Sequence, residues 1–155
     1  MAILIGESVD FPSVMALYSL TKREAAARVD KATTGLHRTT TVLHTFGTGP
    51  VISQASYHEA ARKEDEAKRV LQEALLAYAL VQDFDFRQQL TTLKQSWERF
   101  RMYVPGARDD QFLGNLMLGE GTEHGDALRV AWDTLCLSIK RVYATRSKPS
   151  PILVS

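Results

Sequence analysis

The chain has 155 residues, 45% of them hydrophobic and 24% charged, with a formal net charge of +1. Such a balance argues against long disorder and for an ordinary globular domain. At this length folding buries roughly 68–70% of the extended-chain surface, so a single domain spanning residues 1–155 is expected.

The opening "MAILIGESVD" carries a short apolar run without a basic flank, too brief for a signal peptide. Asp10-Phe11-Pro12-Ser13 reads as a helix start, a capping residue followed by a proline in the first turn. The helix formers of "SVMALYSLTKREAAARVDKA" predict one helix from there to Gly35, a natural stop. "TTGLHRTTTVLHTFGTGP" is β-branched and glycine-rich, which predicts a short, weak helix around 37–45 and then a loop through Gly47, Gly49 and Pro50.

From Gln54 to Gln82 there is neither Gly nor Pro. The first half of this stretch pairs Glu59 with Lys63, Glu64 with Lys68 and Asp65 with Arg69, acid first, as suits a solvated helix face. In the second half Ala67, Leu71, Ala74, Tyr78 and Val81 form a seam, with Val70, Leu75, Leu76 and Leu80 beside it. A helix apolar on two sides needs two partners. Either a second copy covers the spare side or the N-terminal helix does so within the chain, and a second copy is the reading preferred.

"DFDF", residues 83–86, marks a turn. Beyond it Phe86, Leu90, Leu93, Trp97 and Phe100 repeat a 4-3 spacing, and so do Leu128, Trp132, Leu135, Ile139 and Val142. That alternation keeps the residues on one narrow stripe, the geometry of closely packed helix pairs. Between the two stripes lies a glycine-rich stretch with one short helix expected at 111–118. The fold class is therefore all-α: a helical bundle built on a long antiparallel hairpin over 54–104 that pairs into a four-helix dimer interface.

Catalytic chemistry is thin. His37, His44, His58 and His124 fall in no metal-binding pattern, and Cys136, the single cysteine, excludes an internal disulfide and reads as buried filler. The glycine loops at 47–49 and 119–121 lack the Lys-Ser/Thr of a phosphate cradle. "LKQSWERFRMYVPGAR" interleaves basic and aromatic residues, but Trp97 and Phe100 sit on the packing stripe, which leaves Lys94, Arg99 and Arg101 as solvated positions. No catalytic residue, cofactor, metal, small-molecule substrate or membrane partner is expected. No segment approaches 18 consecutive apolar residues.

The C-terminal stretch is uneven. After Asp133 there is no acidic residue, while Lys140, Arg141, Arg146 and Lys148 all follow. The last twelve residues, "ATRSKPSPILVS", then place Ile152-Leu153-Val154 behind two prolines that keep them out of a helix. Such a segment folds back on its own domain or lies on a neighbour.

Three stretches together resemble the core (capsid) proteins of hepatitis B-type viruses: "DFPSVMALYSLTKREA" (10–25), "LKQSWERF" (93–100) and "GDALRVAWDTLCLSIKRVY…KPSPILVS" (125–155). The chain departs from that family in the longer segment 33–52, the insertion around 105–123 and the cysteine position, and is more similar to the core proteins of the non-enveloped fish nackednaviruses. The resemblance implies a homodimer that assembles into an icosahedral shell around the genome, in the virion and the host cell. It implies a dimer interface at Leu71, Ala74, Leu75, Tyr78, Val81, Leu90, Leu93 and Trp97. Contacts between dimers would fall to Trp132, Val142, Tyr143, Pro151, Ile152 and Leu153. Lys140, Arg141, Arg146 and Lys148 would face packaged nucleic acid, which the family holds through an arginine-rich tail beyond this point. The alternative is a helical adaptor or scaffold that receives another protein on its hairpin; a helical-bundle enzyme ranks last for want of site chemistry.

Overall fold

A computed structural model describes residues 9–48 and 54–147. Its elements run α1 (Phe11–Ala16), α2 (Lys22–Thr48), α3 (Gln54–Gln82), α4 (Phe84–Tyr103), a single 3-10 turn (Asp109–Gln111), α5 (Phe112–Leu118) and α6 (Glu123–Ser147). Among the described residues every regular element is helical, as the class reading requires. The chain divides into two compact units, residues 21–78 and residues 1–20 with 79–155.

In the second of these units the core is the pairing of α4 with α6, its most extensive helix contact. Both 4-3 stripes are buried from end to end: Phe86, Leu90, Leu93, Trp97 and Phe100 on α4, Leu128, Trp132, Leu135, Ile139 and Val142 on α6. Each large side chain so buried contributes about 1.5–3 kcal/mol. Into the same core α1 inserts Phe11, whose ring stacks on Phe112 at 3.9 Å and meets Trp97 edge-on at 5.3 Å. Trp132 closes the cluster, 4.9 Å from the Phe112 ring and 5.8 Å from the Phe11 ring. The indole of Trp97 is satisfied: its Nε1–H donates to Asp109 Oδ1 at 2.8 Å, which also holds the 3-10 turn down.

Local chemistry sets the helix ends. Asp10 caps α1 by accepting from the Ser13 N–H at 3.3 Å and the Ser13 hydroxyl at 2.6 Å. Only Asp83 separates α3 from α4, and it caps the latter by accepting from the Phe86 N–H at 2.8 Å. Thr122 caps α6, its Oγ1 accepting from the Gly125 N–H at 3.1 Å.

In the unit of residues 21–78, α2 presents Ala25, Val29, Ala32, Leu36, Leu43 and Phe46 as its buried and half-buried face. On α3 of the same unit Ala60 is buried, and Glu64, Ala67, Leu71, Ala74 and Tyr78 are half-buried. Thr40 of α2 hydrogen-bonds Glu64 of α3, which also pairs with Lys68 at 3.0 Å. Of the expected ion pairs Glu64–Lys68 forms. Glu59 instead takes Arg62 at 2.8 Å, because the guanidinium fork reaches both Glu59 and Glu66.

Four boundaries differ from the sequence reading. The single helix expected from Ser13 to Gly35 is broken at 17–21, where Thr21 and Glu24 restart it: Thr21 Oγ1 accepts from the Glu24 N–H at 3.1 Å. Gly35 does not stop α2, which continues to Thr48 and absorbs the weak helix expected at 37–45. A mid-helix glycine costs about 1 kcal/mol, but the apolar face continues across it, and Thr39, Thr41 and Thr45 donate their hydroxyls to carbonyls of the preceding turn. The "DFDF" turn contracts to Asp83 alone. The last helix begins at Glu123, two residues ahead of the 125–155 stretch, because Thr122 supplies the cap.

Candidate assembly surfaces

Several residues expected at interfaces are interior. Val81, Leu90, Leu93 and Trp97, expected in the dimer seam, are at most 4% exposed. A stripe of large residues spaced for a helix partner has found that partner in α6 and α1 of its own chain, so these four have no surface to offer a second copy. Leu71, Ala74, Leu75 and Tyr78 are half-buried and keep accessible area on α3. Trp132 and Val142, expected between dimers, are likewise core, whereas Tyr143 is 41% exposed. Pro151, Ile152, Leu153 and Lys148 lie outside the described residues.

The basic residues differ in their commitments. Lys140 and Arg146 are exposed. Arg141 donates to Asp83 Oδ1 at 2.9 Å, tying a late turn of α6 to the cap of α4. Burial opposes ionisation of Asp83, but the Phe86 N–H and the Arg141 guanidinium outweigh it and hold the carboxyl below its ordinary value. Lys94, expected to be solvated, sits over the Tyr18 ring with its ammonium 3.8 Å from the centroid.

The sequence reading missed the strongest surface features. On α6 Val130 and Leu137 are each 65% exposed and, seven residues apart, share a face. Beside Val130 a groove of about 500 Å³ runs between α4 and α6, floored by Gln89, Thr92, Ala127 and Ala131. A side-chain hydrogen bond from Ser138 to Gln89 also links the two helices.

At the other end of α6, two glycines let backbones cross. A Cβ on Gly125 would stand 2.5 Å from the Gly119 carbonyl carbon and 2.7 Å from its Cα, nearer still to its oxygen; one on Gly119 would meet Phe100 at 2.9 Å. Tyr103 stacks on His124 at 3.9 Å, so the last turn of α4, the end of α5 and the first turn of α6 converge there. Met102, Tyr103, Met117 and Leu118 around this convergence are all largely exposed.

Reactive groups are muted. Burial, reinforced by the Asp133 carboxylate, pushes the Cys136 thiol up to about 11, leaving it un-ionised at neutral pH. Among the described residues no three His, Cys, Asp or Glu side chains converge to hold a metal, and no helix is long and apolar enough to cross a membrane. No family model, curated protein or solved structure matches the chain. What the molecule does must therefore be argued from its surfaces.

Proposed function

We propose that this chain is the structural protein of a viral shell, a homodimer that assembles through further contacts into a closed icosahedral particle around the genome. The observation that carries this reading is the amount of large apolar surface a single copy leaves open on helices that are otherwise well packed. Val130, Leu137, Met102, Met117 and Leu118 are each 65% or more exposed, and α3 adds the half-buried run at Leu71, Ala74, Leu75 and Tyr78. Clustered apolar exposure of this kind marks association surfaces. The order of elements also supports it. A short helix opened by Phe-Pro-Ser, two long helices meeting at one residue and a long last helix leading to "KPSPILVS" follow the order of the stretches that resemble hepadnavirus-like core proteins.

In this proposal α3 pairs with α3 of a second copy through Leu71, Ala74, Leu75 and Tyr78, so that the hairpins of two copies make the four-helix dimer. The interior stripe of α4 takes no part. Tyr143, Pro151, Ile152 and Leu153 serve the contacts between dimers. Lys140, Arg146 and Lys148 offer phosphate contacts that are few and salt-sensitive.

Size-exclusion chromatography with electron microscopy at moderate and high salt tests the reading. Closed shells are expected, and Leu71→Asp with Tyr78→Asp should leave a folded, monomeric chain. A chain that stays monomeric or dimeric under every condition points instead to the adaptor reading and ends the shell proposal.

A further inference from the structure

Of the described helices α2 has the most one-sided charge. Its 27 residues carry Lys22, Arg23, Arg28, Lys31 and Arg38 against Glu24 and Asp30 alone. From Lys31 to His58 the sequence has no carboxylate at all. On α3 carboxylates outnumber cations, and Arg62 and Lys68 are held by Glu59, Glu66 and Glu64. Among the described residues, none of the α2 cations is in an ion pair.

Three of these cations share a flank. Arg28 and Lys31 are three residues apart and Lys31 and Arg38 seven, spacings that return to one side of a helix, and all three are exposed. Nearby acids do not neutralise them. Glu24 lies one turn before Arg28 and offsets part of that charge alone. Asp30 follows the turn about 100° away from Lys31. Glu64 of α3 reaches α2 at Thr40, on the other side of the helix from Lys31 and Arg38, and is matched by Lys68.

Gly35 stands between Lys31 and Arg38. A glycine inside a helix weakens it, and packing does not ask for one here, since nothing lies within 4 Å of a Cβ at that place. It leaves a bare stretch of backbone four residues after one cation and three before the other, open to a bulky anion.

What the flank lacks narrows the partner. No exposed residue of α2 is Phe, Tyr or Trp, so unpaired bases find no stacking platform. The apolar side of α2 is turned inward at Ala25 and Ala32, and three cations fall short of the roughly four to eight that hold a basic segment to an anionic membrane. A file of cations about 15 Å long suits a regular row of phosphates.

We infer that the Arg28, Lys31 and Arg38 flank of α2 binds the phosphate backbone of a nucleic-acid duplex without reading its bases. The inference goes beyond the shell reading: it adds a surface on α2 to the contacts proposed on α6 and holds for an unassembled chain. Three neutralised phosphates make affinity fall about forty-fold between roughly 50 and 200 mM salt.

The test is fluorescence anisotropy of a labelled mixed-sequence duplex of about 20 base pairs, titrated with the full chain at several salt concentrations. Lys31→Gln with Arg38→Gln places good helix formers at exposed positions and should lower the slope of log affinity against log salt by about 1.8. Lys63→Gln with Arg101→Gln, the same loss of charge on α3 and α4, should leave that slope unchanged. Gly35→Glu sets a carboxylate beside both cations and should weaken binding roughly tenfold or more at low salt, whereas Gly35→Ala should bind as wild type. Circular dichroism checks each fold, and if one flank variant unfolds the other decides. A slope unchanged by Lys31→Gln with Arg38→Gln, or full binding by Gly35→Glu, overturns the inference. So does tighter binding of the single strand than of the duplex, or binding to phosphatidylserine vesicles in place of the duplex, which assigns the flank to a membrane. A wild type that forms shells in the micrographs but does not bind the duplex at about 50 mM salt overturns the inference while the shell reading stands. Duplex binding by a chain that never assembles does the reverse.

Discussion

Adding one methyl group at Gly125 gives a sharp test of the α5–α6 crossing. In an open helix Gly→Ala stabilises by about 1 kcal/mol, because alanine restricts the unfolded chain and favours the helix. At Gly125 the new Cβ would stand 2.5 Å from one backbone atom of Gly119 and 2.7 Å from another, and a backbone cannot swing aside as a side chain can. Overpacking of this kind costs about 1–3 kcal/mol and more when main chain must move. Taking about 3 kcal/mol against the gain of about 1, Gly125→Ala should lose about 2 kcal/mol. Urea unfolding followed by tryptophan fluorescence is the suitable assay, since Trp97 and Trp132 both report on the same unit. Gly114→Ala is the control: nothing lies within 4 Å of a Cβ there, so it should gain about 0.5–1 kcal/mol. A Gly125→Ala chain as stable as wild type would refute the close crossing.

Asp83→Ala should lose about 1 kcal/mol from the cap and a few tenths more from the half-exposed Arg141 pair, whereas Asp83→Asn, still able to cap, should lose only the latter. Because the folded-state carboxyl lies below its ordinary value of 3.8, this stability is present above that pH and is lost as pH falls through the lower folded value; the absence of any wild-type advantage over Asp83→Asn at neutral pH would contradict the pairing. Trp132→Ala should cost about 3–5 kcal/mol and unfold the aromatic cluster, seen by near-ultraviolet circular dichroism; a folded variant defective only in assembly would restore Trp132 to an interface. Cys136 should resist iodoacetamide at pH 7 and react only on addition of urea; fast stoichiometric labelling of the folded protein would mean the thiol is not held un-ionised.

The stripes of α4 and α6 were legible because every position is large and the spacing unbroken. What the spacing does not carry is the identity of the partner. A stripe covered by the chain's own α6 and one covered by a second copy read alike, which is why Leu90, Leu93 and Trp97 were expected at the dimer seam. The face of α2 was illegible for a different reason. Its inner positions are Ala25, Ala32 and half-buried residues such as Thr39, interrupted by Gly35, so hydrophobic contrast is low although the period is regular. The Thr21-Lys22-Arg23-Glu24 box was a local signal that helix-former content overrode. The exposure of Met117 and Leu118 could not be read at all, because α5 has only 7 residues, too few to establish a period. It becomes visible once Gly119 and Gly125 show which strands of chain meet.

The rod α6 is fastened near both extremities, by the glycine crossing at its start and by Ser138 and Arg141 towards its finish. A strut secured in this way cannot pivot on the body that carries it. Any neighbour gripping its far tip is therefore held at an angle dictated by how α4 and α6 nest, not by the grip. In the proposed shell, curvature would then be altered by changing the half-buried Gln89 or Asp83, while the outer handholds stayed the same.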